Sequence, residues 1–103
     1  MTINLTVILK SKTEFTKKVK ELLENLVEKS IKEEGCIQYD LHQNIENSNV
    51  FILHEVWQNQ EIFDLHNSQK YVKSFFKKAS DLLSEKPQVI FTNKIAYKKR
   101  SSI

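Results

Sequence analysis

The sequence predicts an α+β domain whose elements run β-α-β-β-α-β. Three observations carry that prediction. Two segments alternate apolar and polar residues with the period of a strand, a third is apolar enough for a central strand, a fourth carries spaced apolar residues at the end of the chain, and two others repeat apolar residues at helical spacing. The single glycine and the single proline each fall between two such segments. The length of 103 residues suits one domain, 1–103, with no low-complexity stretch, repeat or linker.

Ile3, Leu5, Val7 and Leu9 alternate with Asn4, Thr6 and Ile8, which predicts a strand ending at Lys10. Ser11 and Glu14 have the form of a capping box. Phe15, Val19, Leu22, Leu23, Leu26, Val27 and Ile31 then place a helix running to about Glu34. Gly35 closes it with a left-handed residue. Cys36 to Gln43 reads as a second strand with Ile37, Tyr39 and Leu41 on one face, and Val50 to Trp57 as a third, joined to it by a polar hairpin. Asn59 caps a short helix over Gln60 to His66, and Ser68 restarts a longer one bearing Val72, Phe75, Phe76, Ala79, Leu82 and Leu83, which Pro87 stops. Val89, Phe91, Ile95 and Tyr97 form the last strand.

Each helix has one apolar face, so both pack on one side of an antiparallel, ferredoxin-like sheet with right-handed helical connections. The other side of the sheet is left with an apolar row, either Ile3, Leu5, Val7 and Leu9 or the row of Ile8. That predicts a homodimer packed sheet on sheet.

Composition narrows the function classes. Sixteen basic and 13 acidic residues give a net charge of +3, but Lys and Glu are interleaved on the first helix, so no nucleic-acid surface is expected. Lys98-Lys99-Arg100 belongs to a basic tail, 98–103, expected to fray. One cysteine, Cys36, allows no internal disulfide and reads as a small buried hydrophobe in a reducing compartment. No basic leader precedes the first strand and no run approaches the ~20 apolar residues of a membrane helix. A cytoplasmic protein is expected.

The stretch Lys32-Glu33-Glu34-Gly35-Cys36-Ile37-Gln38-Tyr39-Asp40-Leu41, then Phe51-Ile52-Leu53-His54-Glu55-Val56-Trp57, then Phe63-Asp64-Leu65-His66, resembles the antibiotic-biosynthesis monooxygenase family. Its most specific parts are E-G-C-x-x-Y, E-x-W, and a His nine residues after the Trp. The resemblance covers nearly the whole chain. It implies a dimeric α+β barrel with a pocket between helices and sheet, in a family that includes quinol monooxygenases working without metal or flavin. Other members degrade haem. Lys70-Tyr71 stands where many relatives have Pro-His, and Phe76 stands where haem-degrading relatives have an axial histidine, which argues against haem.

An oxygenase of this kind needs an apolar cavity, a group that takes a phenolic proton, and donors for the resulting anion. Trp57 can form a pocket wall and donate its indole N–H, or be a core residue bonded to a backbone carbonyl. His66 can accept the phenolic proton, or cap a helix end. Asn4, Tyr39, Tyr71 and Phe76 are the candidate substrate-binding residues, although Asn4 reads more readily as an exposed strand residue. Glu55 and Tyr39 can form a buried polar network. His42 and His54, on adjacent strands, are two metal ligands at most, with no third at suitable spacing. The expected function is a cofactor-independent monooxygenase using dioxygen on a small quinol- or phenol-like aromatic. The alternatives are a non-catalytic binding or stress-associated dimer, and then haem binding. Neither the substrate nor activity itself is readable from the residues.

Overall fold

A computed structural model describes residues 1–98. Apart from Lys98, the expected basic tail lies outside the described residues. The elements are β1 (Ile3–Lys10), a 3-10 turn (Thr13–Phe15), α1 (Thr16–Ser30), β2 (Cys36–Gln43), β3 (Val50–Trp57), α2 (Gln60–Ser68), α3 (Lys70–Ala79) and β4 (Gln88–Thr92). The sheet is antiparallel throughout, in the order β2-β3-β1-β4. This is the expected ferredoxin-like α+β arrangement, with the helices on one face.

Period-2 alternation settles which row faces the helices. Leu5, Val7 and Leu9 of β1 and Phe51, Leu53 and Trp57 of β3 are buried against Val19, Leu23 and Leu26 of α1 and Val72, Phe75 and Ala79 of α3. The outward face therefore holds the other row of β1, Asn4, Thr6 and Ile8, beside Val56, His54 and Ile52 of β3. It is mixed in polarity rather than uniformly apolar.

Several boundaries differ from the sequence reading, each for a local reason. Ser11 does not cap a helix. Its N–H bonds the Asn49 carbonyl at 2.8 Å and its hydroxyl meets Thr16 Oγ1 at 3.0 Å, so it ties β1 to the β2–β3 turn. The chain then makes a 3-10 turn and α1 begins only at Thr16. At the other end α1 stops at Ser30, and Ile31 is exposed. In β2 a bulge between Cys36 and Gln38 turns Ile37 outward, away from Tyr39. The second helical segment breaks at Gln69, whose ψ of 138° is extended, while Ser68 stays in α2 and bonds the Leu65 carbonyl. Pro87 is not the stop for α3, which ends at Ala79. β4 ends at Thr92, so Ile95 and Tyr97 lie beyond it and are exposed.

Asn59 does cap α2, accepting from the Ile62 N–H at 2.8 Å. Gly35 has φ of 85°, and a Cβ there would sit 2.7 Å from Ile62 Cγ2. Replacing it with Ala combines a left-handed backbone with a clash, and should lower stability by about 1–3 kcal/mol. Chemical denaturation of Gly35→Ala beside the parent measures it; an unchanged midpoint would show that α2 shifts away freely.

Candidate functional site

The polar residues beneath the helices gather near the C-terminal end of α2. In β3 the buried row reads Phe51, Leu53, Glu55, Trp57, which puts a carboxylate among core residues, with 5% of Glu55 exposed. Its Oε1 accepts the Trp57 indole N–H at 3.0 Å. Tyr39, the residue directly across from it in β2, is also buried. His66 is 3% exposed in the last turn of α2; its Nδ1 lies 2.5 Å from Glu33 Oε2. The Tyr71 hydroxyl donates to the same oxygen and also lies 3.2 Å from Ser30 Oγ. The Trp57 ring lies against the imidazole, centroids 4.2 Å apart and planes at 32°.

A cavity of about 340 Å³ opens beside this cluster. Tyr39, Glu55, His66 and Asn67 supply its polar groups, and Leu5, Val7, Phe63, Phe76, Val89 and Phe91 its apolar wall. Its mouth lies along β4, where Val89 and Phe91 face the helix side but remain exposed because no helix covers that edge. The volume lies toward the small end of the ~300–1,000 Å³ typical of ligand pockets, the scale of one or two rings. No buried side-chain nitrogen or oxygen among the described residues lacks a partner, and His66 bonds through Nδ1 alone. Nε2 is therefore the ring nitrogen left unengaged, on a residue that lines the cavity.

Burial acts on the two titratable groups in opposite senses. It pushes the Glu55 carboxyl up to about 7, with the Trp57 hydrogen bond pulling the other way. It pushes the His66 imidazole down from its ordinary 6.5, and the Glu33 carboxylate offsets part of that. Both shifts favour the uncharged form, a carboxyl that can give a proton and an imidazole that can take one. Burial, then the Glu55 charge, raises the Tyr39 hydroxyl far above its usual range, so it remains a donor. Cys36 is raised to about 11 by burial and by Glu33 and Glu55, which leaves it a protonated thiol.

The sequence-derived candidates divide accordingly. His66, Tyr39 and Phe76 line the cavity, Phe76 at its mouth. Trp57 does not: it is fully buried, and its N–H goes to Glu55 rather than to a ligand or a backbone carbonyl. Tyr71 stands behind His66 with its hydroxyl engaged by Glu33 and Ser30, and it lines only a small groove between α1 and α3. Asn4 is on the opposite face of the sheet, its amide donating to Thr2 Oγ1. His42 and His54 are also outside, ring centroids 5.3 Å apart, with Thr6 Oγ1 3.1 Å from His54 Nδ1. Among the described residues no three His, Cys, Asp or Glu side chains are grouped to hold a metal. The sequence reading singled out neither Glu33 nor Asn67. Glu55 carried a usable signal, since it falls in phase with the buried residues of β3.

The model of the family described as antibiotic biosynthesis monooxygenase matches residues 3–78. The chain belongs to the antibiotic biosynthesis monooxygenase family. It is 37% identical over 75 residues to the uncharacterized protein sll1783 of Synechocystis, a match covering 73% of this chain and 50% of that protein. The chain thus spans about half the length of that relative. It is 33% identical over 69 residues to YcnE of Bacillus subtilis, a protein provisionally named a monooxygenase; the match covers 67% of this chain and 73% of YcnE. A conserved protein from Methanosarcina mazei superposes with a TM-score of 0.85 at 26% identity, over 91% of this chain and 93% of that one. Rv0793 from Mycobacterium tuberculosis superposes at 0.88 over 96% and 100%, and at 15% identity bears on the fold alone. No helix of the family member is long and apolar enough to cross a membrane, among the described residues.

The opposed shifts predict a measurable pH dependence. Glu55 ionises near 4.5 when unfolded and near 7 when folded, so folding takes up a proton between those values and the group's contribution to stability falls as pH rises through that window. His66 acts oppositely, because below its ordinary 6.5 the unfolded chain binds more protons. Glu55→Gln keeps an acceptor for Trp57 and isolates the first effect. Relative to that variant, the parent should lose on the order of 2–3 kcal/mol between about pH 5 and pH 7. Urea titrations at several pH values measure this, and a difference that does not change with pH would mean Glu55 is already ionised in the folded state.

Proposed function

We propose that this family member is a monooxygenase that oxidises a small phenol- or quinol-like aromatic with dioxygen in the cavity along β4, without metal or flavin. The observation that carries the reading is that His66, hydrogen-bonded only through Nδ1, and Glu55 line one cavity whose wall is mostly aromatic and aliphatic. An apolar wall favours a flat ring and excludes water, which strengthens any charge interaction formed inside. The single glycine of the chain is taken up by the turn at position 35, so no glycine-rich phosphate loop exists for a dinucleotide.

In this reading Nε2 removes the phenolic proton. The electron-rich phenolate then reduces dioxygen, and a carbon–oxygen bond forms at a hydrogen-bearing ring carbon, para to the hydroxyl in a simple phenol and ortho to it in a quinol. The proton taken from the hydroxyl returns to the peroxide through the groups of the cavity. The O–O bond breaks, one oxygen stays as the new quinone carbonyl, and the other leaves as water with the ring hydrogen. The substrate supplies all the electrons, so no co-reductant enters. Tyr39, which keeps its proton, and Glu55 in its protonated form, favoured below about pH 7, are placed to stabilise the oxygen anions that arise.

The test is oxygen uptake with a panel of quinols and phenols. His66→Ala should lower the rate about 10²-fold or more, the usual scale for a positioned acid–base group, while the variant stays folded. Unchanged turnover per folded molecule would remove His66 from the reaction. Binding of these aromatics with no oxygen consumed by the parent protein would favour a binding dimer over an enzyme.

The outward sheet face supports a homodimer, since Ile8, Ile52 and Val56 lie together on β1 and β3 with no helix to cover them. Light scattering at micromolar concentration should give about 24 kDa, twice the 12.2 kDa chain, from an interface burying more than about 1,000 Å². A 12 kDa particle under those conditions would contradict it.

A further inference from the structure

We infer that Glu33 is a positioning residue for His66: its carboxylate holds the ring proton on Nδ1, so that Nε2 faces the cavity as the acceptor, and Tyr71, itself beside Ser30, holds the carboxylate in turn. This rests on the reading of His66 as the base and concerns how the chain makes it one.

Three parts of the chain converge to do it. Glu33 lies in the turn after α1, His66 in the last turn of α2, and Tyr71 in the first turn of α3. A carboxylate only accepts hydrogen bonds, so a neutral ring 2.5 Å from Glu33 Oε2 must present Nδ1–H, leaving the lone pair on Nε2. The Tyr71 hydroxyl donates to the same oxygen, and the fully buried Ser30 lies beside that hydroxyl at 3.2 Å. Such a chain fixes the ring in rotation as well as in tautomer, the role outer partners play for histidines that bind metals or attack substrates.

Charge supports the same assignment. Among the described residues Glu33 makes an ion-pair contact with no Lys or Arg, and His66 is its one basic neighbour. The groups facing the imidazole from each packed element are Glu33 from the turn, Tyr71 from α3, Tyr39 from β2 and Trp57 from β3, with Glu55 in the same cavity. Glu33 is the negative charge in direct contact with the ring. When Nε2 takes a proton, that carboxylate stabilises the imidazolium formed in a site that otherwise disfavours it.

The test reads the ring itself. Nitrogen-15 NMR of the whole protein, at a pH where His66 is neutral, should show Nδ1 protonated and Nε2 bare. In Glu33→Ala the ring should shift toward the Nε2–H form that imidazole prefers in water, and in Glu33→Gln it should keep Nδ1–H while titrating at lower pH. A parent ring found as Nε2–H, or a tautomer unmoved in Glu33→Ala, overturns the inference whether or not any substrate is turned over. Where a quinol supports oxygen uptake, Glu33→Ala should lower kcat about 10-fold or more, the range for outer-sphere partners, with KM little changed. Glu33→Gln should move the acidic limb of the kcat profile to lower pH, since the imidazolium has lost its anion. Parent-like kcat per folded molecule in Glu33→Ala would also overturn it, whereas no uptake by the parent with any quinol would fault the proposed reaction and leave the NMR result to decide this point.

Discussion

The close approach of α2 to the turn at Gly35 is the constraint on which the site depends. Gly35 has no Cβ, so Ile62 packs where a side chain would otherwise stand. The next helical turn on the same face of α2, four residues on, carries His66, and Glu33 is two residues before the glycine. One packing contact between a glycine and an isoleucine thus sets the register in which a carboxylate meets an imidazole. The Gln58 N–H bonded to the Gly35 carbonyl at 2.9 Å ties the same turn to the end of β3, beside Trp57. Turn, strand end and helix are held as one unit.

The chemistry of the cavity follows from its burial rather than from any unusual residue. A carboxyl and an imidazole differ by about two units in water, and the same low-dielectric surroundings push the first up and the second down, each toward its uncharged form. The aromatic rings around them provide that surrounding medium. Trp57 is the clearest case: it touches no cavity space, yet it stacks on His66 and bonds Glu55, linking the two titratable groups through one rigid side chain.

The strand pattern was legible wherever burial alternated. β2 and β3 have the bounds that their residues predict, and the family motif led to His66 and Tyr39. What failed were features decided by contacts far along the chain. Ser11 has the form of a cap, but its partner, Asn49, lies in a distant turn and draws it away. Ile37 continues the alternation of β2 on paper, and only the pairing with β3 reveals the bulge. Asn4 depended on knowing which row of β1 lies under the helices. The Glu33–His66 contact spans 33 residues and joins a turn to a helix, so no local period announces it. For Glu55 the sequence left a buried network and a surface role open, and strand parity decides for the first.

The uncovered flank of β4 separates two kinds of selection. Val89 and Phe91 border the cavity but are not packed beneath a helix, and Phe76 beside them is 40% exposed. Changes at these three positions alter what the mouth admits while leaving Leu5, Val7 and the helix core in place. Substitutions deeper in the cavity disturb packing and proton chemistry together. The outline of the cavity opening can therefore be rewritten along one exposed margin with little penalty in foldability.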